Sequence, residues 1–456
     1  MSALSKVMDN IASFLAPKQV WSIARAFTRI PVDVDGHIEM LVPKVSMWTG
    51  SIRSGKTVAS LLAWLIYVAT ASRGGELVVI GRTRESIGRN IFGPLMDPTL
   101  FGPLAKHVSY TTGAPTAQIL GRTVHVLGAS DRRAENVLRG LTCAGAYVDE
   151  ATLISQEFWT QLLGRMSVPG AQLFATTNPD GPSHWLKKHV VDRAEALGYV
   201  VFEFRLEDNI FLDRAFVARV RREYVGLFYD RFILGKWTVA EGSVYDQWNP
   251  ARHVITASDM PEMTRVICFG IDYGDQHATR GYLLGIGPDM RTGHTGTQRL
   301  YVLDEWSPGG GIMGEKSAHM KRWLATRPKP AWGLPDFTAV DSAALAFKTQ
   351  IFRDGQPGVM NAQKNVLPGI QTVASLLALD KLVVSDTCAH LIERLPGYVW
   401  DPKATARGET APIKADDDEV DALRYAVYTS RGSWRDLIDI APAMDSSPGS
   451  TPEATD

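Results

Sequence analysis

This sequence predicts an α/β fold of two units, and three observations lead there. The chain of 456 residues is longer than one typical core accommodates. From about residue 45 to residue 237, short apolar runs alternate with helical patterns, the mark of strands and helices layered on a parallel sheet. Beyond a connecting stretch, FILGKWTVAEGSVYDQWNP, a second unit opens at Val266 with a different order of elements.

The elements follow in order. Residues 1–44 read as a helical lead-in and a turn-rich stretch, PVDVDGHIEM. The runs 45–48, 77–80, 144–148 and 173–176 are short and apolar, as strands of a buried parallel sheet are. Residues 45–237 are the first domain and 238–261 a linker. In the second domain, 262–430, a strand at 266–272 ends in an acid. Strand-like runs at 281–287 and 299–306 flank a Gly- and Thr-rich turn, RTGHTGTQ. A helical stretch at 312–326 and a strand at 337–341 follow. Strand, strand, strand, helix, strand is the order that opens an RNase H-like fold. The tail, 431–456, is rich in Pro, Ser and acids and reads as disordered.

Composition narrows the classes. The 45% hydrophobic and 21% charged content is that of an ordinary soluble globular protein. With 48 basic and 49 acidic side chains the net charge is −1, which excludes a uniformly basic surface. Any contacts to nucleic acid are therefore gathered in local patches. Cys143, Cys268 and Cys388 form no CxxC pair, so neither a zinc site nor a disulfide framework is indicated, and a reduced cytoplasm is expected. The opening MSALSKVMDN lacks a long apolar stretch, so a signal peptide is not expected. The most apolar run, 58–71, matches a buried core helix and is too short to span a bilayer.

The sharpest motif is GSIRSGKT: Gly50, Ser51, Ile52, Arg53, Ser54, Gly55, Lys56 and Thr57 fit GxxxxGK[ST] in full. The glycines let backbone N–H groups close around phosphates, Lys56 reaches the terminal phosphates, and the Thr57 hydroxyl can hold Mg²⁺. An apolar strand precedes it and a helix follows, as the motif requires. The second half of an ATPase site is an apolar strand ending in an acid, and AGAYVDEA supplies it. Asp149 is the metal-side acid, and Glu150 is suited to polarising the attacking water. A Glu there favours hydrolysis over phosphoryl transfer to a metabolite. The next strand, LFATTNP, ends in Thr176, Thr177 and Asn178. These fit either a sensor of the γ-phosphate or a plain Asn-Pro turn.

In order along the chain, GSIRSGKT, LRGLTCAGAYVDEA, TTNPDGPSHWLK, FYDRFILGKWTVAEGSVYDQW, GIDYG, AVDSA and DEVDALRYA resemble the large subunit of the tailed-phage terminase, over roughly residues 45 to 430. The resemblance implies an ATPase of the additional-strand, RecA-like (ASCE) class that drives double-stranded viral DNA into empty capsids. It also implies a nuclease domain that cuts the concatemer. It assigns Lys56 and Thr57 to phosphate and Mg²⁺, Asp149 and Glu150 to Walker B, and Thr176 to Asn178 to the coupling motif. Arg139 is similar to an arginine that some members insert into a neighbour's site, and Gln19 to an adenine-reading glutamine. ATP with Mg²⁺ and two divalent ions, Mg²⁺ or Mn²⁺, are the implied cofactors. The implied partners are DNA, the small terminase subunit, the portal protein and further copies in a ring on the portal, often five. The implied location is the host cytoplasm, transiently on the procapsid and with no membrane.

Cutting a phosphodiester with two metals needs carboxylates converging from different elements. Asp272 and Asp341 end strands that lie side by side in an RNase H-like sheet, and a late helix supplies the third acid. KADDDEVDALRYAVY offers Asp416, Asp417, Asp418, Glu419 and Asp421. Val420, Leu423 and Val427 make the apolar stripe of a helix, and Asp417 and Asp421, four apart, share a face. For most of these acids the plain reading is attraction to the positive N-terminus of that helix. The family reads Asp-His, two residues, then Asp-Ala, whereas Asp418 stands here in the histidine's place. The third ligand stays open: Asp421 is favoured, then Asp418, then Asp417. Asp275 and His277 are equally explained by a solvent-facing loop.

A rival reading is an ATP-dependent helicase–nuclease of DNA repair, which needs a second RecA-like lobe and further motifs after Asn178. The chain passes instead from the linker straight into the second unit. A scaffold with decayed sites is disfavoured by two intact acid constellations.

Overall fold

The structure, a computed structural model, describes residues 15–274, 278–290, 297–326, 333–415 and 417–438. The expected tail beyond residue 438, and Asp275, His277 and Asp416, lie outside the described residues. Among the described residues no helix is long and apolar enough to cross a membrane.

The chain opens with α1 (Pro17–Phe27) and a hairpin, β1 (Ile30–Val34) with β2 (His37–Leu41). An eight-stranded sheet then forms from β3 (Val45–Gly50), β4 (Glu76–Gly81), β5 (Val108–Ser109), β6 (Thr116–Ile119), β7 (Arg122–Gly128), β8 (Cys143–Val148), β9 (Gln172–Thr177) and β10 (Val200–Phe204). Its spatial order is β10-β3-β9-β8-β4-β7-β6-β5, and only β5 and β6 run antiparallel to their neighbours. β9 lies between β3, which feeds the glycine-rich loop, and β8, which feeds Asp149. All six residues of β3, β8 and β9 are buried, the reason these runs read as continuously apolar. Alternate side chains serve opposite faces. Trp48, Tyr147 and Phe174 pack with α2 (Lys56–Thr70) on one face, and Met47, Val148 and Ala175 pack with α4 (Gln156–Arg165) on the other, after α3 (Arg132–Arg139).

A second sheet holds β11 (Val254–Ile255), β12 (Arg265–Asp272), β13 (Arg280–Pro288), β14 (Gln298–Trp306), β15 (Phe337–Val340), β16 (Val359–Asn361) and β17 (Leu382–Ser385). Its order is β11-β17-β14-β13-β12-β15-β16. β12, β13 and β14 form an antiparallel meander, and β15 returns parallel to β12. One face carries α6 (Met313–Thr326) and α7 (Leu345–Arg353), and the other carries α8 (Val366–Ala378) and α10 (Asp418–Thr429), with α9 (Ala389–Arg394) beside them.

The packing divides the chain differently from the composition. Leu206, Val220, Tyr224, Phe232, Ala240, Val244 and Tyr245 are buried in the core of the second sheet. α5 (Arg214–Glu223) and the stretch read as a linker therefore belong energetically with that sheet, and β11 pairs with β17. The apolar residues inside the linker explain this, since burying them is worth roughly 1.5–3 kcal/mol each.

Candidate functional site

Two polar centres emerge, one on each sheet. The first forms at the carboxyl ends of β3, β8 and β9, where parallel sheets present ligand sites. Two glycines make its loop possible. Gly50 has φ +135°, and a Cβ there would stand 1.8 Å from the Phe204 carbonyl oxygen. Gly55 has φ +85° and caps α2, whose first N–H groups then face the loop. The Lys56 ammonium donates to the Ser51 carbonyl at 2.9 Å and to Asn178 Oδ1 at 2.7 Å. Its burial lowers its pKa to about 8, against the pull of Glu150 and Asp149.

Asp149 is also buried. Thr176 Oγ1 donates to its Oδ1 at 2.8 Å and Asn90 Nδ2 to its Oδ2 at 3.0 Å. Burial nonetheless pushes its pKa upward. Glu150 follows with φ +51°, an uncommon left-handed conformation for a residue with a side chain. Its pKa is raised by burial and then by Asp149, while Lys56, Arg82 and Arg89 pull the other way. A half-buried carboxyl whose pKa is raised to about 7 beside a lysine is suited to proton transfer.

The other expected residues are placed as follows. Thr57 opens α2 with Lys56. Gln19 is buried against the loop, its Nε2 donating to the Gly55 carbonyl at 2.8 Å and its Oε1 accepting from the Ala16 amide at 2.7 Å. Arg139 ends α3 with an exposed side chain, paired with Glu135 at 2.8 Å and reaching Gln161 at 3.4 Å. Thr177 Oγ1 donates to Thr152 rather than to the acids.

Asn90, Arg82 and Arg89 were not anticipated. They follow β4, which pairs with β8 so that Ile80 stands opposite Val148. Only the sheet order puts that segment beside Asp149.

The second centre depends on a close approach. A Cβ on Gly270 of β12 would meet the Ala426 amide nitrogen at 2.4 Å and the Ala422 carbonyl at 2.6 Å. The absent side chain, with Ala422 and Ala426, lets α10 lie on the strand and carry its acids toward Asp272. Asp341 is one residue past β15, the parallel neighbour of β12, and its amide donates to the Ile271 carbonyl at 3.3 Å. Asp272 has its pKa raised to about 7, first by burial and then by Asp421, Asp418, Asp341 and Asp417, in that order. Asp417 is raised by burial and then by Asp421. Glu419 turns away, buried, to Arg280 Nε at 2.7 Å.

Two protein cations enter this cluster. Arg424 Nη2 donates to Asp421 Oδ1 at 2.7 Å, and Lys364 pairs with Asp341. Among the described residues no three His, Cys, Asp or Glu side chains close into a single metal shell. The donor set still suits hard divalent ions: oxygen ligands only, from two strands and one helix. Burial and their neighbours raise Asp272 and Asp417, while, against desolvation, Lys364 and the Ala343 amide hold Asp341 below the ordinary carboxylate range. Lys364 and Arg424 were also unanticipated, although Arg424 lies within DEVDALRYA.

The units meet at the segment after β10. Within a π-helical turn (Tyr229–Ile233), the Phe232 carbonyl accepts from the Ile52 amide at 2.9 Å and the Ile233 carbonyl from Ser51 Oγ at 2.7 Å. Buried Arg231 pairs with Asp180 at 2.7 Å and donates to Thr410 Oγ1 at 2.8 Å.

Comparison with known proteins gives one family-model match, "Terminase large subunit, T4likevirus-type, N-terminal", over residues 47–249. A curated relative, the terminase large subunit of Escherichia phage T5, is 24% identical over 286 residues. That alignment covers 60% of this chain and 62% of the relative's length. The crystal structure of the large terminase from a thermophilic bacteriophage is similar with a TM-score of 0.77 and 26% identity, covering 92% of this chain and 98% of that one. The same thermophilic phage protein in complex with ATP-gamma-S gives a TM-score of 0.75 at 26% identity, covering 91% and 98%.

Proposed function

We propose that this chain, which is similar to phage terminase large subunits, drives double-stranded viral DNA into a procapsid with ATP and cuts the concatemer with a metal-dependent nuclease. Residues 45–237 are read as a RecA-like ATPase of the additional-strand class, supported by the insertion of β9 between β3 and β8. Residues 262–430 are read as an RNase H-like nuclease, supported by the meander, helix and parallel return from β12 to β15. The observation that carries the proposal is the presence of two distinct acid centres in one chain. One is built around a phosphate-binding loop and the other around converging strand-end and helix carboxylates.

In the first centre the loop from Gly50 to Thr57 would hold the phosphates of ATP, and Thr57 and Asp149 would hold Mg²⁺. Lys56 then exchanges Asn178 Oδ1 for a phosphate oxygen, which frees Asn178 and ties the end of β9 to the nucleotide state. Thr176, already bonded to Asp149, senses the same change. Glu150 accepts a proton from the attacking water. Arg139, exposed at the end of its helix, reaches a neighbouring copy in the ring. Gln19 supports the loop through Gly55, and reading adenine would require it to give up one of its two bonds.

In the second centre Asp272, Asp341 and Asp421 would hold two divalent ions, Mg²⁺ or Mn²⁺, with Asp418 and Asp417 at the margin. Bound, the ions supply Lewis-acid activation and neutralise phosphate charge. Asp421 is preferred because, of the carboxylates around Asp272, it raises the pKa of Asp272 most. The portal, the small subunit and further copies, five in the ring, are the proposed partners, in the host cytoplasm. The test incubates the purified protein with plasmid, with and without Mn²⁺ or Mg²⁺ and with ATP. Metal-dependent cutting together with ATP turnover is expected. Neither activity, in a protein shown to be folded, would remove the proposal.

A further inference from the structure

Asp341 has a second neighbourhood that the acid cluster does not explain. Its Oδ1 accepts from the Ala343 amide at 2.8 Å and pairs with the Lys364 ammonium. Lys364 comes from the segment between β16 and α8, and its side chain is 42% exposed against 17% for Asp341. The base of that segment is fixed, because the Gln363 amide donates to Thr429 Oγ1 on α10 at 3.0 Å. A second lysine, Lys348 of α7, donates to the Ser342 carbonyl at 3.2 Å and to Asn361 Oδ1. Asn361 is held beside the end of β15 by its pairing with Val340. The edge of the sheet next to Asp341 thus carries two ammonium groups from two elements.

The two cations in the cluster differ in one physical respect. Arg424 is 1% exposed, and a Cβ on Gly369 would meet its Cδ at 2.6 Å, so it is packed in place. Lys364 sits on a flexible four-carbon stem at the surface and is free to swing about a fixed base. A divalent ion taken up by Asp341 repels the ammonium beside it. The anion that a DNA substrate brings to the same place is a backbone phosphate, for which a lysine is a suitable point-charge partner.

We propose that Lys364 is a DNA-phosphate contact of the nuclease centre, which neutralises Asp341 before metal binds and passes to the scissile strand's phosphate when metal takes Asp341. The inference rests on the nuclease reading above. It makes Lys364 a competitor of the metal and a partner of the substrate, and these roles predict opposite effects of one substitution.

The experiment compares the full-length protein with its Lys364→Ala and Lys364→Arg variants in three measurements. The first is Mn²⁺ affinity without DNA, from the spin-resonance signal of free Mn²⁺. Lys364→Ala should bind Mn²⁺ more tightly, by about threefold to tenfold for loss of one nearby positive charge. The second is affinity for duplex DNA in Ca²⁺, across a series of salt concentrations. Lys364→Ala should bind more weakly, and the slope of log affinity against log salt should flatten by about one phosphate contact. The third is plasmid cutting in Mn²⁺, which should fall in Lys364→Ala and recover largely in Lys364→Arg. ATP turnover at the wild-type rate in both variants checks that they fold.

Weaker or unchanged Mn²⁺ binding in Lys364→Ala, or an unchanged salt slope, would overturn the proposal and leave Lys364 as a support for the Asp341 turn. If the wild-type protein neither binds Mn²⁺ nor cuts DNA, the nuclease reading itself fails, and that outcome is distinct from an indifferent Lys364.

Discussion

The two acid centres solve the same electrostatic problem in opposite ways. Asp149 is buried and Glu150 half-buried, and each oxygen of Asp149 already accepts a neutral hydrogen bond, from Thr176 and from Asn90. One buried lysine faces both acids, and its other contacts are a carbonyl and an amide oxygen. The second centre brings several carboxylates together, and Asp272 rises to about 7 through burial and then through their charge. The protein cations paired with its acids include one packed arginine and one exposed lysine. The first centre is thus arranged before its ligand arrives, as a site that must turn over repeatedly needs to be. The second leaves Asp272 short of counter-charge, which under the proposed reading a bound metal would supply.

The comparison breaks most sharply if the centres are not independent in their chemistry. Lys56→Ala should abolish ATP hydrolysis, and Glu150→Ala should lower it roughly a hundred- to ten-thousandfold, the range for loss of a general base. Both should leave metal-dependent plasmid cutting intact. Asp272→Ala and Asp341→Ala should do the reverse, removing cutting with ATP turnover near wild type. Wild-type hydrolysis in Glu150→Ala would remove that residue as the base.

Arg139 tests whether the first centre is complete within one chain. Arg139→Ala should lower hydrolysis in assembled rings about a thousandfold, as for other arginine fingers. Mixing Arg139→Ala with Lys56→Ala subunits should restore part of it, because one kind of mixed interface keeps both groups. No recovery in mixtures shown to assemble would argue for a role within its own subunit, or none.

The helix acids sharpen the second centre. Asp421→Ala should damage cutting most, and Asp418→Ala less. Asp418→His should keep activity with a shifted ratio of Mn²⁺ to Mg²⁺ activity, since imidazole suits Mn²⁺ better. A dead Asp417→Ala or Asp418→Ala beside a normal Asp421→Ala would move the third ligand. Normal cutting by all three variants would take the helix out of the site.

The smallest effects are expected where the units join. Arg231→Ala removes the ion pair but leaves Asp180 accepting from Thr410 and the Gly181 amide, and should cost about 2 kcal/mol of stability, below the range for a fully buried pair. Thr410→Ala should cost about 1 kcal/mol. Denaturant melts of the full chain measure both, and a neutral Arg231→Ala would show that the junction is held by apolar packing alone.

The two centres were also unequally legible. GSIRSGKT, Asp149 and Glu150 stand out because each lies at the end of a wholly buried strand, where an apolar run meets a polar turn. Asp272 and Asp341 could be singled out for the same reason. The acids of α10 could be ordered, Asp421 before Asp418 and Asp417, but not decided, since a run of carboxylates at a helix start satisfies the helix dipole wherever each points. Tertiary contacts separate two of them: Glu419 goes to Arg280, whereas the charge of Asp421 leads the carboxylates that, after burial, raise Asp272.

Local rules, read from the sequence alone, determined the strands and their polar ends, the glycine-rich loop and the order of elements in the second unit. Periodicity and backbone freedom act between residues close in the chain, so one sequence suffices to see them. The tertiary structure alone decided what depends on distant segments meeting. Asn90 reaches Asp149 because β4 lies beside β8, and α10 reaches Asp272 because Gly270 has no side chain to hold it off. Lys364 reaches Asp341 because β16 runs beside β15, and residues after Leu206 join the second core because their apolar faces find it. None of these contacts has a local signature, since each is fixed by sheet order and close packing.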